Sequence, residues 1–247
     1  MTPLSVSLHG IRAAVTGGTS GLGLALVQAL RERGAGVAFV ARQADRVRDV
    51  ARQHPGTHGI PGDVSRKDEI HPIAMGITAV LGGLDVLINN ASALGPVPLA
   101  LLADTECEDF EVALATNLLG PFRLAKALLG ALAASSREGR PALVINVTSD
   151  AAVTPYPGWG AYGASKAALL HLSRIWDQEL EAHGVRVLAV DPGDMDTPMH
   201  ALAVPNADRA SLKQPADAAG EVVAIIETFA RERKSDETRA EAGTTAS

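Results

Sequence analysis

Ser149, Tyr162 and Lys166 are the residues of this sequence whose types and spacing could do chemistry together. Tyr162 and Lys166 are one helical turn apart, so on a helix predicted over residues 162–183 they share a face. Ser149 follows an apolar run at 142–148 that reads as a strand, and in doubly wound parallel sheets ligands gather at strand ends. Reducing a carbonyl needs a hydride on carbon and a proton on oxygen. A serine hydroxyl can hydrogen-bond the carbonyl oxygen, and a phenol can donate the proton, or remove it in the reverse direction. A phenol of pKa about 10 is a poor base at neutral pH, and lowering it by roughly 3 units takes about 4 kcal/mol. The Lys166 ammonium is the natural supplier of that stabilisation in a dry cleft. The pair alone would more often be an exposed helix face. The serine at a strand end is what favours the catalytic reading.

Positioning such a trio requires a rigid frame, and the chain shows one. Short apolar runs at 11–16, 36–41, 57–61, 84–89, 142–148 and 185–191 alternate with amphipathic stretches at 22–33, 45–53, 67–81, 108–135, 162–183 and 216–233. That alternation predicts right-handed βαβ units and an α/β fold: a doubly wound parallel sheet of Rossmann type with helices on both faces. Residues 1–234 read as one domain, and the small, polar stretch 235–247 reads as a disordered tail.

The first strand runs directly into Thr16-Gly17-Gly18-Thr19-Ser20-Gly21-Leu22-Gly23, and a helix follows. Glycines let a backbone turn tightly against a pyrophosphate, and the helix start offers free N–H groups and a positive dipole end. The bland alternative is a tight turn without a ligand, which the position after the first strand disfavours. With this spacing, Gly17, Gly21 and Gly23, and the Ser149/Tyr162/Lys166 set, the sequence resembles the short single-domain branch of the short-chain dehydrogenase/reductase family. The extended branch would need glycine where Ser20 stands.

An acid closing the second strand would hold the ribose 2′-hydroxyl of NAD(H). Here that strand ends in Ala41 and Arg42. No carboxylate repels a 2′-phosphate, and the Arg42 guanidinium can grip one. NADP(H) is therefore expected over NAD(H), with Thr19 and Ser20 as further donors. The alternative for Arg42 is a solvated surface residue.

The resemblance implies further roles. Asp63-Val64 matches the pair that meets the adenine, although Asp63 alone is equally a helix N-cap. Asn90 and Ala91 belong to Asn89-Asn90-Ala91, with Ser92 where the family has glycine, and are expected mainly to support the cofactor. The resemblance makes Lys166 a holder of the nicotinamide ribose, together with Tyr162. It makes Asn117, within Asn117-Leu118-Leu119-Gly120, a helix-perturbing residue that positions a relay water. Pro192-Gly193, after Asp191, match the turn under the nicotinamide, and Thr197 the residue that bonds the carboxamide. Asp194 and Asp196 either face substrate or solvate their loop. Residues 197–215, including Met199, His200, Leu202 and Val204, are expected to cover a partly apolar substrate pocket. The usual seventh strand is not visible, which casts doubt on the dimer contact built from that edge. A homodimer or homotetramer through the long helices at 104–135 and 162–183 is the expectation.

Composition bounds the rest. A net charge of −6 excludes a broad nucleic-acid surface and gives no attraction to an anionic membrane. The apolar stretch 86–103 is broken by Asn89, Asn90, Pro96 and Pro98, and no leader pattern opens the chain, so a cytoplasmic protein is expected. The single cysteine, Cys107, allows no internal disulfide, and its acidic neighbours disfavour a catalytic thiol. No residue cluster has metal-ligand spacing. The partner expected is a small carbonyl or alcohol. The rival reading is a non-catalytic NADP-binding sensor or scaffold, disfavoured because both Tyr162 and Lys166 are present.

Overall fold

The computed structural model describes residues 7–244. In chain order its elements are β1 (Arg12–Thr16), α1 (Gly21–Glu32), β2 (Gly36–Ala41), α2 (Ala44–Gln53), β3 (Thr57–Pro61), α3 (Ile70–Leu81), β4 (Val86–Asn89), α4 (Cys107–Leu114), α5 (Gly120–Arg137), β5 (Leu143–Val147), α6 (Gly160–Glu179), β6 (Arg186–Val190), α7 (Pro198–Ala203) and α8 (Pro215–Thr244). Among the described residues the strands form one six-stranded sheet in the order β3-β2-β1-β4-β5-β6, with every pairing parallel.

Side chains on successive strand residues point to opposite faces, and here both faces are buried. Ala13, Val15, Val37 and Phe39 join a core with α1, α2 and α8. Their neighbours Ala14, Ala38 and Val40 join a second core with α3, α5 and α6. Strands covered on both sides read as continuous apolar runs, which is why the sheet is legible in the sequence. The register aligns Thr16 with Val40, Asn89 with Asn146 and Val147 with Val190. The carboxyl ends of five strands therefore open on one edge.

At the opposite end, fully buried Asp85 accepts from Arg12 at 2.7 Å, from Arg140 and from Ser135. Burial pushes its carboxyl up, but Arg140, Arg12 and Ser135 outweigh it and hold it below the usual carboxylate range.

Two helices bear on the sequence expectation. The helix expected over 108–135 runs unbroken from Cys107 to Arg137, but between α4 and α5 it widens into a π-turn at Ala115–Leu119, centred on Asn117, the perturbation that the resemblance implies there. Insertions of this type occur disproportionately at functional sites. The last helix, expected to stop at 233, runs on to Thr244, across most of the stretch read as a disordered tail. Residues 234–242 contain no Gly or Pro and are rich in strong helix formers. Residues 245–247 lie outside the described part.

By length and composition alone, the segment Cys107–Arg137 is apolar enough to cross a membrane. In the fold α5 instead buries Leu124, Leu128 and Leu132 in the second core.

Candidate active site

The glycine turn is built as the sequence predicts. Gly17 and Gly21 have φ of +71° and +50°, values that non-glycine residues adopt at a cost. A Cβ on Gly23 would lie 2.1 Å from the Gly17 carbonyl oxygen, so only glycine lets α1 start so close to β1. Asn90 lies beneath the turn: its amide donates to the Thr16 carbonyl at 2.8 Å, and its backbone N–H donates to the Thr16 hydroxyl at 3.0 Å. Ala91 also donates to that hydroxyl. Thr197 packs over Gly21 and accepts from the His200 N–H at 3.1 Å, capping α7. Ser20 is the N-cap of α1, makes no capping bond with its side chain, and no acid occupies the first turn. The N–H groups at the start of α1, the uncapped Ser20 hydroxyl and the absence of a neighbouring carboxylate fit a pyrophosphate.

Arg42 is exposed at the end of β2 and joins none of the ion pairs among the described residues. Ala41 leaves no carboxylate at the strand end. A 2′-phosphate fits that pair. Asp63 is occupied locally: one carboxylate oxygen accepts from the Ser65 N–H and hydroxyl at 2.9 and 2.7 Å. It caps a turn rather than α3, and its second oxygen makes no hydrogen bond among the described residues. The carbonyl of buried Val64 lies where a Cβ on Gly120 would come within 2.9 Å, so this loop rests directly on the π-turn. Gly193 has φ +77° and donates to Asp191 at 2.9 Å, while Lys213 donates to the Pro192 carbonyl at 3.1 Å. Asp196 pairs with Arg209 at 2.8 Å, which gives it a loop-bracing role; Asp194 has no such partner among the described residues.

On the other side of the edge, Ser149, Tyr162 and Lys166 come together. The ends of β4 and β5 are pinned to α6 by a buried chain in which Asn89 donates to Asn146 at 2.8 Å and Asn146 donates to Ser173 at 2.8 Å. Gly163, where a Cβ would lie 3.0 Å from the Ala151 carbonyl oxygen, lets α6 close onto the segment after Ser149. The Lys166 ammonium, 2% exposed, donates to the Val147 carbonyl at 2.8 Å and lies 5.5 Å from the Tyr162 ring centre. Trp159 meets the same ring edge-on at 5.6 Å.

Burial pushes the Tyr162 phenol up to about 12, with Asp191 and Asp150 adding to it; the Ser149 and Ser92 hydroxyls pull the other way. Burial pulls Lys166 down to about 8, against the attraction of Asp191. The sequence expectation is that Lys166 and an oxidised nicotinamide together lower this phenol; burial of the cleft acts in the opposite direction. Desolvation penalises any charge in this cleft, and the lysine donates to a backbone carbonyl.

Asn117 is completely buried and saturated. It accepts from Ser92 at 3.1 Å and from the Ala93 N–H at 2.8 Å, and donates to the Ala93 carbonyl and the Ser165 hydroxyl, both at 2.8 Å. Ser165 in turn donates to the Tyr162 carbonyl at 2.6 Å. An amide has two donors and two acceptor positions, so this side chain has none left for a water. Asn117→Ala should therefore cost at least about 3 kcal/mol, since it strands several buried partners. The check is the urea midpoint at constant slope; a loss under about 1 kcal/mol would contradict the structural role.

Sequence reasoning passed over Gly18, Asn146, Ser165, Asp150 and Tyr156. Gly18 faces Phe39, where a Cβ would lie 2.6 Å from the Phe39 Cβ. It sits inside the motif, and a steric requirement of this kind leaves no pattern of its own. Asp150 directly follows Ser149, accepts its hydroxyl at 2.9 Å and accepts the Tyr156 hydroxyl at 2.7 Å. Adjacency to Ser149 was the available signal.

A parallel sheet in this order, with a glycine turn after β1, a serine after β5 on the same edge, and a tyrosine and lysine on α6 packed beside it, defines a dinucleotide-dependent α/β oxidoreductase. A family model described as short chain dehydrogenase matches residues 12–208. The chain belongs to the short-chain dehydrogenase family and is an NAD(P)-dependent oxidoreductase of alcohol and carbonyl groups. It is 30% identical over 192 residues to 2-(R)-hydroxypropyl-CoM dehydrogenase of Xanthobacter autotrophicus, covering 76% of this chain and 75% of that protein. A Pseudomonas aeruginosa RhlG/NADP active-site complex is similar in structure, with TM-score 0.78, 30% identity and coverage of 87% and 88%. A 3-ketoacyl-(acyl-carrier-protein) reductase from Brucella melitensis, complexed with NADH, has TM-score 0.81 at 24% identity, covering 88% and 90%. At that identity the likeness concerns the fold alone.

Proposed function

We propose that the chain uses NADP(H) in preference to NAD(H) to interconvert a small carbonyl compound and its alcohol, with Tyr162 as acid/base. The observation that carries this reading is the Tyr162 phenol, placed among the Ser149 and Ser92 hydroxyls and buried Lys166 at the edge that also holds the glycine turn. The nicotinamide, when bound, supplies or accepts the hydride. The phenol, raised by burial, is protonated at neutral pH and ready to donate to a carbonyl oxygen. Ser149 hydrogen-bonds that oxygen. Lys166 stabilises the phenolate left behind and binds ribose hydroxyls, and Asn117 braces the Tyr162 backbone through Ser165.

Gly17, Thr19, Ser20, Gly21, Leu22 and Gly23 would seat the pyrophosphate, Arg42 the 2′-phosphate, and Asp63 and Val64 the adenine. Asn90 and Ala91 would support the ribose side, and Pro192, Gly193 and Thr197 the nicotinamide end. The NADP complex of RhlG supports the cofactor choice. The exposed apolar residues Val112, Leu119 and Ile175, on the α4–α5 segment and α6, support association through those helices. Single Cys107 is free and exposed, in keeping with a reducing cytoplasm.

Purified protein mixed with NADPH and a panel of an aromatic diketone, a β-keto ester, an aliphatic ketone and an aldehyde should consume NADPH on at least one of them. Tight NADPH binding without turnover on any would favour the sensor or scaffold. The pH dependence has a defined sign. A phenol held above its ordinary value keeps its proton to higher pH, so carbonyl reduction at saturating NADPH should hold its rate through neutral pH. Alcohol oxidation needs the deprotonated form and should climb with pH over the same range. Reduction that falls through neutral pH would contradict this.

A further inference from the structure

We propose that Asp150, braced by Tyr156, is a positioning residue that directs the Ser149 hydroxyl and so sets how strongly Ser149 polarises the substrate carbonyl; this rests on the role given to Ser149 above. The Ser149 hydroxyl has one proton, and it points at the Asp150 carboxylate, 2.9 Å away. The Ser149 oxygen already accepts from the Ala151 N–H at 3.2 Å. A carbonyl oxygen can only accept, so it has to compete with Asp150 for that proton. A carboxylate is the stronger acceptor, because hydrogen bonds to an ionised group are about twice as strong as neutral ones.

Tyr156 moderates the competition by donating to the other carboxylate oxygen at 2.7 Å. It is 43% exposed, as a rim residue of the cleft would be. The Tyr156 hydrogen bond, followed by those from Ser149 and the Ala151 N–H, keeps Asp150 below its ordinary value against some desolvation. Asp150 is thus ionised at neutral pH. Its charge also opposes ionisation of Tyr162, alongside burial and Asp191. The other charged groups facing this corner are Lys166 on α6 and Asp194 after β6, which adds to the raised state of Tyr156.

The two residues therefore act with opposite sign. Asp150→Asn removes the charge and leaves a weaker acceptor, freeing the Ser149 proton for substrate. Tyr156→Phe removes a donor from the carboxylate, which then holds Ser149 more tightly. The experiment compares kcat/KM for reduction, at saturating NADPH, of whichever panel compound the wild type turns over fastest. Each variant's thermal midpoint is measured alongside. Asp150→Asn is expected to raise kcat/KM several-fold and to move the alkaline rise of alcohol oxidation to lower pH. Tyr156→Phe is expected to lower kcat/KM several-fold.

The inference is overturned if both variants lose activity together with an unmoved pH profile, or if Asp150→Asn has no effect. Ser149→Ala separates the two levels. An inactive Ser149→Ala with unchanged Asp150→Asn refutes only this inference. A fully active Ser149→Ala, or a wild type inert on the whole panel, refutes the reading beneath it.

Discussion

Replacing Tyr162 with Phe should lower turnover about a thousandfold while leaving NADPH affinity within about twofold of wild type. The ring remains, so its edge contact with Trp159 and its place beside Lys166 persist. What disappears is the proton that has to reach the carbonyl oxygen. No other phenol can replace it: the chain has two tyrosines, and Tyr156 donates to Asp150 instead. The remaining hydroxyls, Ser149 and Ser92, are far weaker acids than a phenol. Steady-state assays give the rate, and quenching of tryptophan fluorescence gives the affinity. Turnover above about a tenth of wild type would remove Tyr162 from the mechanism.

Arg42→Ala should weaken NADPH by about thirtyfold, or about 2 kcal/mol, and NADH by less than about twofold. The estimate is at the low end for charge-assisted bonds because Arg42 is exposed, where solvent and salt screen the interaction. The structure leaves this guanidinium out of the ion pairs found among the described residues, whereas Arg48 and Arg52 on α2 are matched with Asp45 and Asp49. Competitive titration with both cofactors at fixed ionic strength decides it. Equal weakening of the two would mean that Arg42 does not sense the 2′-phosphate, and would leave the hydride chemistry untouched.

The four inner strands are legible because they are buried on both faces and almost wholly apolar, whereas the edge strands β3 and β6 are more exposed. The glycine turn was legible because backbone geometry at Gly17 and Gly21 admits little else. Ser149, Tyr162 and Lys166 could be placed together because one helical turn and one strand end sufficed. What remained hidden depended on packing across the chain. The resemblance names Asn117 as helix-perturbing, but the four hydrogen bonds that hold its side chain, to residues 92, 93 and 165, come from distant segments that no local periodicity announces. The burial that pushes the Tyr162 phenol up, against the Ser149 and Ser92 hydroxyls, likewise depends on packing across the chain. The helical continuation to Thr244 shows that a polar composition with good helix formers need not mean a tail without structure.

The central claim is that hydride passes to a carbonyl carbon at this edge while Tyr162 delivers the proton. NADPH carrying deuterium at its transferable position, incubated with the wild type and an accepted panel compound, tests it directly by mass spectrometry of the product. The expected product is an alcohol with one deuterium on the carbinol carbon from the wild type, and no labelled alcohol above background from Tyr162→Phe. Alcohol formed without deuterium, or NADPH bound but never consumed by the wild type, would contradict it.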